Sequence, residues 1–156
     1  MLVRFRADVI QLDPEIVVIM AGTNDIAGNT GPSTLEMIMD NLQSMTELAL
    51  VNNIKVILCS VLPANDFPWN PGQQPADKII KLNSMLENYA SDKGIIYVNF
   101  YSKLVDNNKG IKGEYSKDGV HPTREGYAVM NPLAEEAIKK AISQKDPISN
   151  IKKYMK

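Results

Sequence analysis

Residues 15–25 read EIVVIMAGTND, a run of apolar and largely β-branched side chains that ends on Gly22-Thr23-Asn24-Asp25. Continuous hydrophobicity, without alternation, is what a strand covered on both faces requires, so the spacing predicts a buried strand over residues 15–21. Two further stretches share that character, KVILCSV at 55–61 and IIYVNF at 95–100. Helical patterns separate them. Leu35, Ile38, Leu42, Met45 and Ala49 fall on one face of a helix that closes near Asn52, and Ser33-x-x-Glu36 in front of it has capping-box form. Ile79, Leu82, Leu86 and Tyr89 mark a second helix over 76–93, with Gly94 at its C-terminal stop. A last helix is predicted over 123–143, kinked or split by Pro132. Ahead of the first strand, Leu2, Phe5, Val9 and Leu12 repeat at helical spacing until Asp13-Pro14. Alternating strands and helices imply βαβ units and a parallel sheet, an α/β fold.

The chain has 156 residues, enough for one domain, here expected over 1–143 with a lysine-rich, solvated extension at 144–156. Hydrophobic residues make up 44% and charged residues 22%, a globular balance. Seventeen Lys+Arg against eighteen Asp+Glu give a net charge of −1, which argues against a nucleic-acid-binding face. Cys59 and His121 each stand alone, so neither a disulfide within the chain nor a Cys-rich or multi-histidine metal site is expected. The apolar run at 16–21 is far too short to span a bilayer. Met1-Leu2-Val3 does not open a signal peptide, because Arg4, Arg6 and Asp8 interrupt it.

The connections that follow the three strands are long. Ordinary βα loops run about 2–6 residues, whereas 22–32, 62–75 and 101–122 all exceed that. Each leaves the carboxyl end of a strand, the edge where open α/β sheets bind ligands. On the third of these loops lies Asp118-Gly119-Val120-His121-Pro122. A carboxylate three residues before a histidine can accept from one ring nitrogen and leave the other as a general base. An Asp-Gly turn followed by a His-Pro helix entry accounts for the same residues without chemistry. On the first loop, the Asn24 amide can donate to a developing oxyanion, although Gly22 and Asn24 equally suit a plain strand-ending turn. The second loop holds Asn65 and the only tryptophan, Trp69, which can floor a sugar ring or flank an acyl group, or simply plug the loop onto the body. Ser60 and Ser116 read as ordinary strand-end and loop hydroxyls, not as nucleophiles. No Gly-x-Gly-x-x-Gly or Walker-type loop follows any strand, which disfavours nucleotide binding.

Taken together, GTND leaving an apolar strand and DGVHPTREGY opening the last helix about a hundred residues later resemble two sequence blocks of the SGNH hydrolases, also called GDSL-type esterases and lipases. The resemblance implies a three-layer αβα, flavodoxin-like domain that hydrolyses small esters, such as acetylated sugars or lipid-like esters, through a Ser-His-Asp triad. It implies no metal and no organic cofactor. Carried over by position, His121 is the general base, Asp118 the residue that orients it, Asn24 an oxyanion donor, and Gly22 the turn that aims Asn24. The family's Gly-Asp-Ser nucleophile block and the glycine donor after its second strand have no counterpart in this sequence. The resemblance therefore implies a domain without its first two strands, roughly 60 residues at about 30 per βα unit, and an inactive chain. In the strand order 2-1-3-4-5, that loss turns the strand from Glu15 to Ala21 into a sheet edge, expected to self-associate or to be held by a partner. The alternative is a non-catalytic module that binds carbohydrate or another protein with the same loops.

Overall fold

The computed structural model describes residues 1–144, so the expected C-terminal extension lies, beyond Gln144, outside the described residues. Three parallel strands, β1 (Ile16–Ile19), β2 (Lys55–Cys59) and β3 (Ile96–Val98), form one sheet in the order β1-β2-β3. Ile16 pairs with Lys55 and Ile57 with Ile96. This is the consecutive order that the last three strands of a 2-1-3-4-5 sheet would have. The helices are α1 (Phe5–Asp8), α2 (Thr23–Ile26), α3 (Leu35–Val51), α4 (Ala76–Lys93), α5 (Tyr101–Leu104) and α6 (Arg124–Ser143).

The period of two along each strand sorts the core into two layers. Val56 and Leu58 of β2 point into a cluster with Ile19, and with Ile38, Leu42 and Met45 of α3 and Ile79, Leu82 and Leu86 of α4. Ile57 and Cys59 point the other way, into a cluster with Ile96 and Val98 of β3 and with Met130, Ala137 and Ala141 of α6. The apolar stripes of α3, α4 and α6 thus lie against the sheet and give the three-layer α/β arrangement.

Four local expectations change. The N-terminal stripe is not one helix: α1 is flanked by 3₁₀ turns at Leu2–Arg4 and Ile10–Leu12, and Val9 leaves helical geometry at φ −130°. Only Phe5 of the stripe is buried, and Leu12 is 72% exposed, so too little packing exists to hold a full helix. The cap of α3 is Thr34, not Ser33: Thr34 has the extended backbone of an N-cap, and its Oγ1 accepts from the Met37 N–H at 3.2 Å. Helix α6 runs unbroken through Pro132. Both Pro132 and Ala128, whose carbonyl loses its partner, are exposed, so water can satisfy that carbonyl.

Strand β1 is not covered on both faces. Val17 and Ile19 meet the α3/α4 layer, but Val18 and Met20, on the side of α6, are 45% and 41% exposed. The reason is lateral offset: α6 packs mainly over β2 and β3, and on this side of β1 only Ile16 reaches the cluster beneath it.

At the carboxyl end of the sheet, one buried polar side chain holds the frame. Asn83 of α4 accepts from the Val61 N–H at 2.7 Å and donates to the Val61 carbonyl at 3.0 Å. It replaces the backbone partner that Val61 lacks once β2 has ended.

Candidate active site

The loops after β1 and β2 and the turn before α6 meet at the carboxyl edge of the sheet, around a cleft of about 500 Å³. Gly22, Asn24, Trp69 and His121 all line it, together with Met20 and Val120. Asn65 does not: its side chain lies 3.0 Å from where a Cβ on Gly110 would stand, on the loop that follows α5.

The 118–121 turn is built from its own atoms. Gly119 takes a positive φ of 80°, which lets the chain fold back over the Asp118 carboxylate. Oδ1 of Asp118 accepts from the backbone N–H of His121 at 2.8 Å, from that of Val120 at 2.9 Å, and from the Ser116 hydroxyl at 3.1 Å. Oδ2 lies 2.7 Å from His121 Nδ1. The N–H of His121 is the largest of the influences holding the Asp118 carboxyl well below the usual carboxylate range, followed by the imidazole and the Val120 N–H. Asp118 is therefore an anion at neutral pH, and an anion only accepts. Nδ1 of neutral His121 must then carry the ring proton, which leaves the Nε2 lone pair free. That is the tautomer a general base needs.

The 22–32 loop begins with a steric requirement. Gly22 has φ +119°, and a Cβ there would stand 3.0 Å from Leu82 and 3.1 Å from Val61, so any other residue meets both a strained backbone and a tight contact. Asn24 follows on α2, exposed beside the cleft. The loop closes on itself through Asn29 Nδ2 donating to Asn24 Oδ1 at 2.9 Å and Thr30 Oγ1 donating to Asp25 Oδ1 at 3.2 Å. The second loop braces it: Asn70 Nδ2 donates to the Ala27 carbonyl at 3.0 Å, and Trp69 Nε1 donates to Asn29 Oδ1 at 2.9 Å.

Trp69 also touches the histidine. Its ring stacks on buried Phe67, with centroids 5.3 Å apart, and lies 6.0 Å from the His121 ring. It plugs its loop and still leaves 44% of its surface exposed over the cleft.

The two serines near this edge are occupied elsewhere. Buried Ser60 accepts from the Tyr101 N–H at 2.9 Å through Oγ, and Ser116 serves Asp118; neither lines the cleft. Burial raises the Cys59 thiol to about 12, so it is not a nucleophile at neutral pH.

The model of the GDSL-like lipase/acylhydrolase family matches residues 1–129. The chain belongs to that family. A solved GDSL-like lipase from Bacteroides thetaiotaomicron is 51% identical and superposes with a TM-score of 0.88, covering 90% of this chain and 69% of its own. A protein from Bacteroides fragilis, provisionally described as an acylhydrolase, is 52% identical with a TM-score of 0.87, covering 89% of this chain and 68% of its own. An acetyl xylan esterase at 20% identity and a TM-score of 0.71, covering 87% of this chain and 73% of its own, shares the fold. No curated protein matches the chain at a significant level. Membership places it among the hydrolases, and no helix of the described residues is long and apolar enough to cross a membrane.

Two residues that brace this edge of the GDSL-like domain escape a reading of the sequence, Asn29 and Asn83. Asn29 carries no local signal, because its partner Trp69 is forty positions away. Asn83 does carry one: it stands four residues after Ile79 and three before Leu86, a polar residue on an apolar stripe.

Proposed function

We propose that this chain supplies the base, its orienting carboxylate and one oxyanion donor for the hydrolysis of small carboxylic esters. The observation that carries the proposal is the 2.7 Å contact between His121 Nδ1 and an Asp118 carboxylate already held by two backbone N–H groups, with the far ring nitrogen left free. In the reaction, His121 Nε2 takes the proton of a serine hydroxyl as its oxygen adds to the ester carbonyl. Asp118 stabilises the imidazolium. The Asn24 amide donates to the carbonyl oxygen as it becomes an oxyanion, and collapse of the adduct expels the alcohol, which receives the proton from His121. A water molecule then repeats the sequence on the acyl-serine and releases the acid.

The serine is the missing part. Neither Ser60 nor Ser116 has a free hydroxyl in the cleft, and no Gly-Asp-Ser segment occurs in these 156 residues. We accordingly infer that the chain alone is inactive. The His121 side chain is 72% exposed, within reach of a substrate in the cleft. The test is hydrolysis of a chromogenic acetate ester by the purified chain, and by the product of any reading frame that continues upstream of Met1. The chain alone should stay at the background rate. A longer product bearing the serine should turn over, and His121→Ala should cut its rate by about 10³-fold or more. Turnover by the 156-residue chain that His121→Ala abolishes would show that it holds its own nucleophile.

The exposed face of Trp69 favours a second reading, a module that binds a sugar or a protein without chemistry. Quenching of Trp69 fluorescence by acetylated oligosaccharides, with no turnover in any form of the protein, would put that reading first. Among the described residues β1 has no outer strand neighbour, and with Val18 and Met20 bare on one side this edge supports association with a second copy or a partner.

A further inference from the structure

An Asn amide can offer either its oxygen or its nitrogen to a site, and only the nitrogen can donate to an oxyanion. What selects between them at Asn24 is found outside the triad residues. The indole nitrogen of Trp69 can only donate, and it points at the Asn29 side-chain amide, 2.9 Å from Oδ1. With its oxygen committed to the indole, Asn29 must turn its nitrogen toward Asn24, where the contact is 2.9 Å to Asn24 Oδ1. With its own oxygen turned to Asn29, Asn24 directs Nδ2, its only donor, to the other side, toward surroundings that include the cleft. The order of donors and acceptors is therefore set at one end, by a residue that has no choice.

We propose that Asn29 is a positioning residue for the oxyanion donor, and that Trp69 sets the direction of the Trp69–Asn29–Asn24 hydrogen-bond chain. The proposal rests on the assignment of Asn24 as that donor. It adds that a residue in the first loop and a tryptophan in the second fix which atom of Asn24 meets the substrate. The same indole lies beside His121, with ring centroids 6.0 Å apart.

Asn29→Asp is the informative substitution. It is isosteric, so packing is kept, and the introduced carboxylate still accepts from the indole. That carboxylate cannot donate to Asn24, whose amide must then rotate to bring Nδ2 onto it and leave the oxygen outward. The readout is the side-chain N–H spectrum of ¹⁵N-labelled protein, where the only tryptophan gives an unambiguous indole signal. In Asn29→Asp the indole N–H should stay protected from exchange with water while both Asn24 Nδ2 proton resonances move. In Asn29→Ala the indole should exchange about 10-fold faster or more. Trp69→Phe removes the donor and keeps a ring, so the Asn24 resonances should broaden as Asn29 samples both orientations. Asn24 resonances at their wild-type positions in Asn29→Asp, or unbroadened in Trp69→Phe, would overturn the proposal. The spectra are taken without substrate, so a failure of Asn24 as oxyanion donor would appear in the ester assay, not here.

Discussion

The two loops that bring chemistry to this cleft are built in opposite ways. The 118–121 turn closes on itself within a few residues: Ser116, Val120 and His121 all bind the Asp118 carboxylate, and a positive-φ glycine permits the fold-back. The 22–32 loop is local only in part. Its entry depends on Leu82 and Val61 standing close against Gly22, and its amide order depends on Trp69. The proposed base can therefore be oriented by its sequence neighbours, whereas the proposed oxyanion donor is oriented by the assembled fold. Damage to packing should reach Asn24 before it reaches His121.

The strongest way to break that contrast is at Gly22. Gly22→Ala introduces both an unfavourable backbone and a close contact, and should cost about 2–4 kcal/mol, measured by urea unfolding. If the contrast holds, the His121 ring resonances of the folded fraction stay in place while the Asn24 amide moves. Next in size is Asn83→Leu, which leaves the N–H and carbonyl of Val61 without partners and should cost about 2–3 kcal/mol in the same assay. Because Val61 stands against Gly22, the Asn24 amide should again respond and the 118–121 turn should not. A shift at His121 in either variant would show that the turn is less self-contained than its hydrogen bonds indicate.

Asp118→Asn attacks the other loop. The folded protein holds this carboxyl below its ordinary value, so at acid pH the folded state binds fewer protons here than the unfolded chain. The resulting stabilisation is complete above about pH 4 and is lost as the pH falls toward the depressed folded-state value. The side chain is 43% exposed, and solvent screening limits the effect to about 1 kcal/mol. Asp118→Asn should thus destabilise at neutral pH, by an amount that shrinks as the pH falls below about 4, with the Asn24 amide unmoved. The smallest effect on stability is expected from Val18→Lys, within about 0.5 kcal/mol because Val18 is half exposed. It should nevertheless weaken any association at the β1 edge, and sedimentation of wild type and variant at matched concentration reads that directly.

The same division explains what the sequence discloses. Strands, the long helices and the Asp118–His121 pair are legible because periodicity and a three-residue spacing are local properties. The glycine at 94, a C-terminal stop for α4, is legible for the same reason and has the expected left-handed backbone, φ +66°. The N-terminal stripe misleads because periodicity says nothing of how much partner surface exists, and here only Phe5 is fully buried while Leu2 and Val9 pack partly and Leu12 is exposed. The exposure of Val18 is hidden likewise, since a continuous apolar run shows no sign of how far α6 reaches across the sheet. Asn29 is silent because its role depends on an indole supplied by another loop, and Asn65, in the same loop as Trp69, points to Gly110 and not to the cleft.

The solitary cysteine gives the molecule a built-in clock. Cys59 is 2% exposed in the layer between the sheet and α6, and its thiol is protonated at neutral pH. A thiol reagent in solution cannot reach it while that layer is closed. Labelling therefore counts the moments at which α6 lifts from β2 and β3, and its rate, followed across denaturant, separates the opening of this one layer from the unfolding of the whole chain.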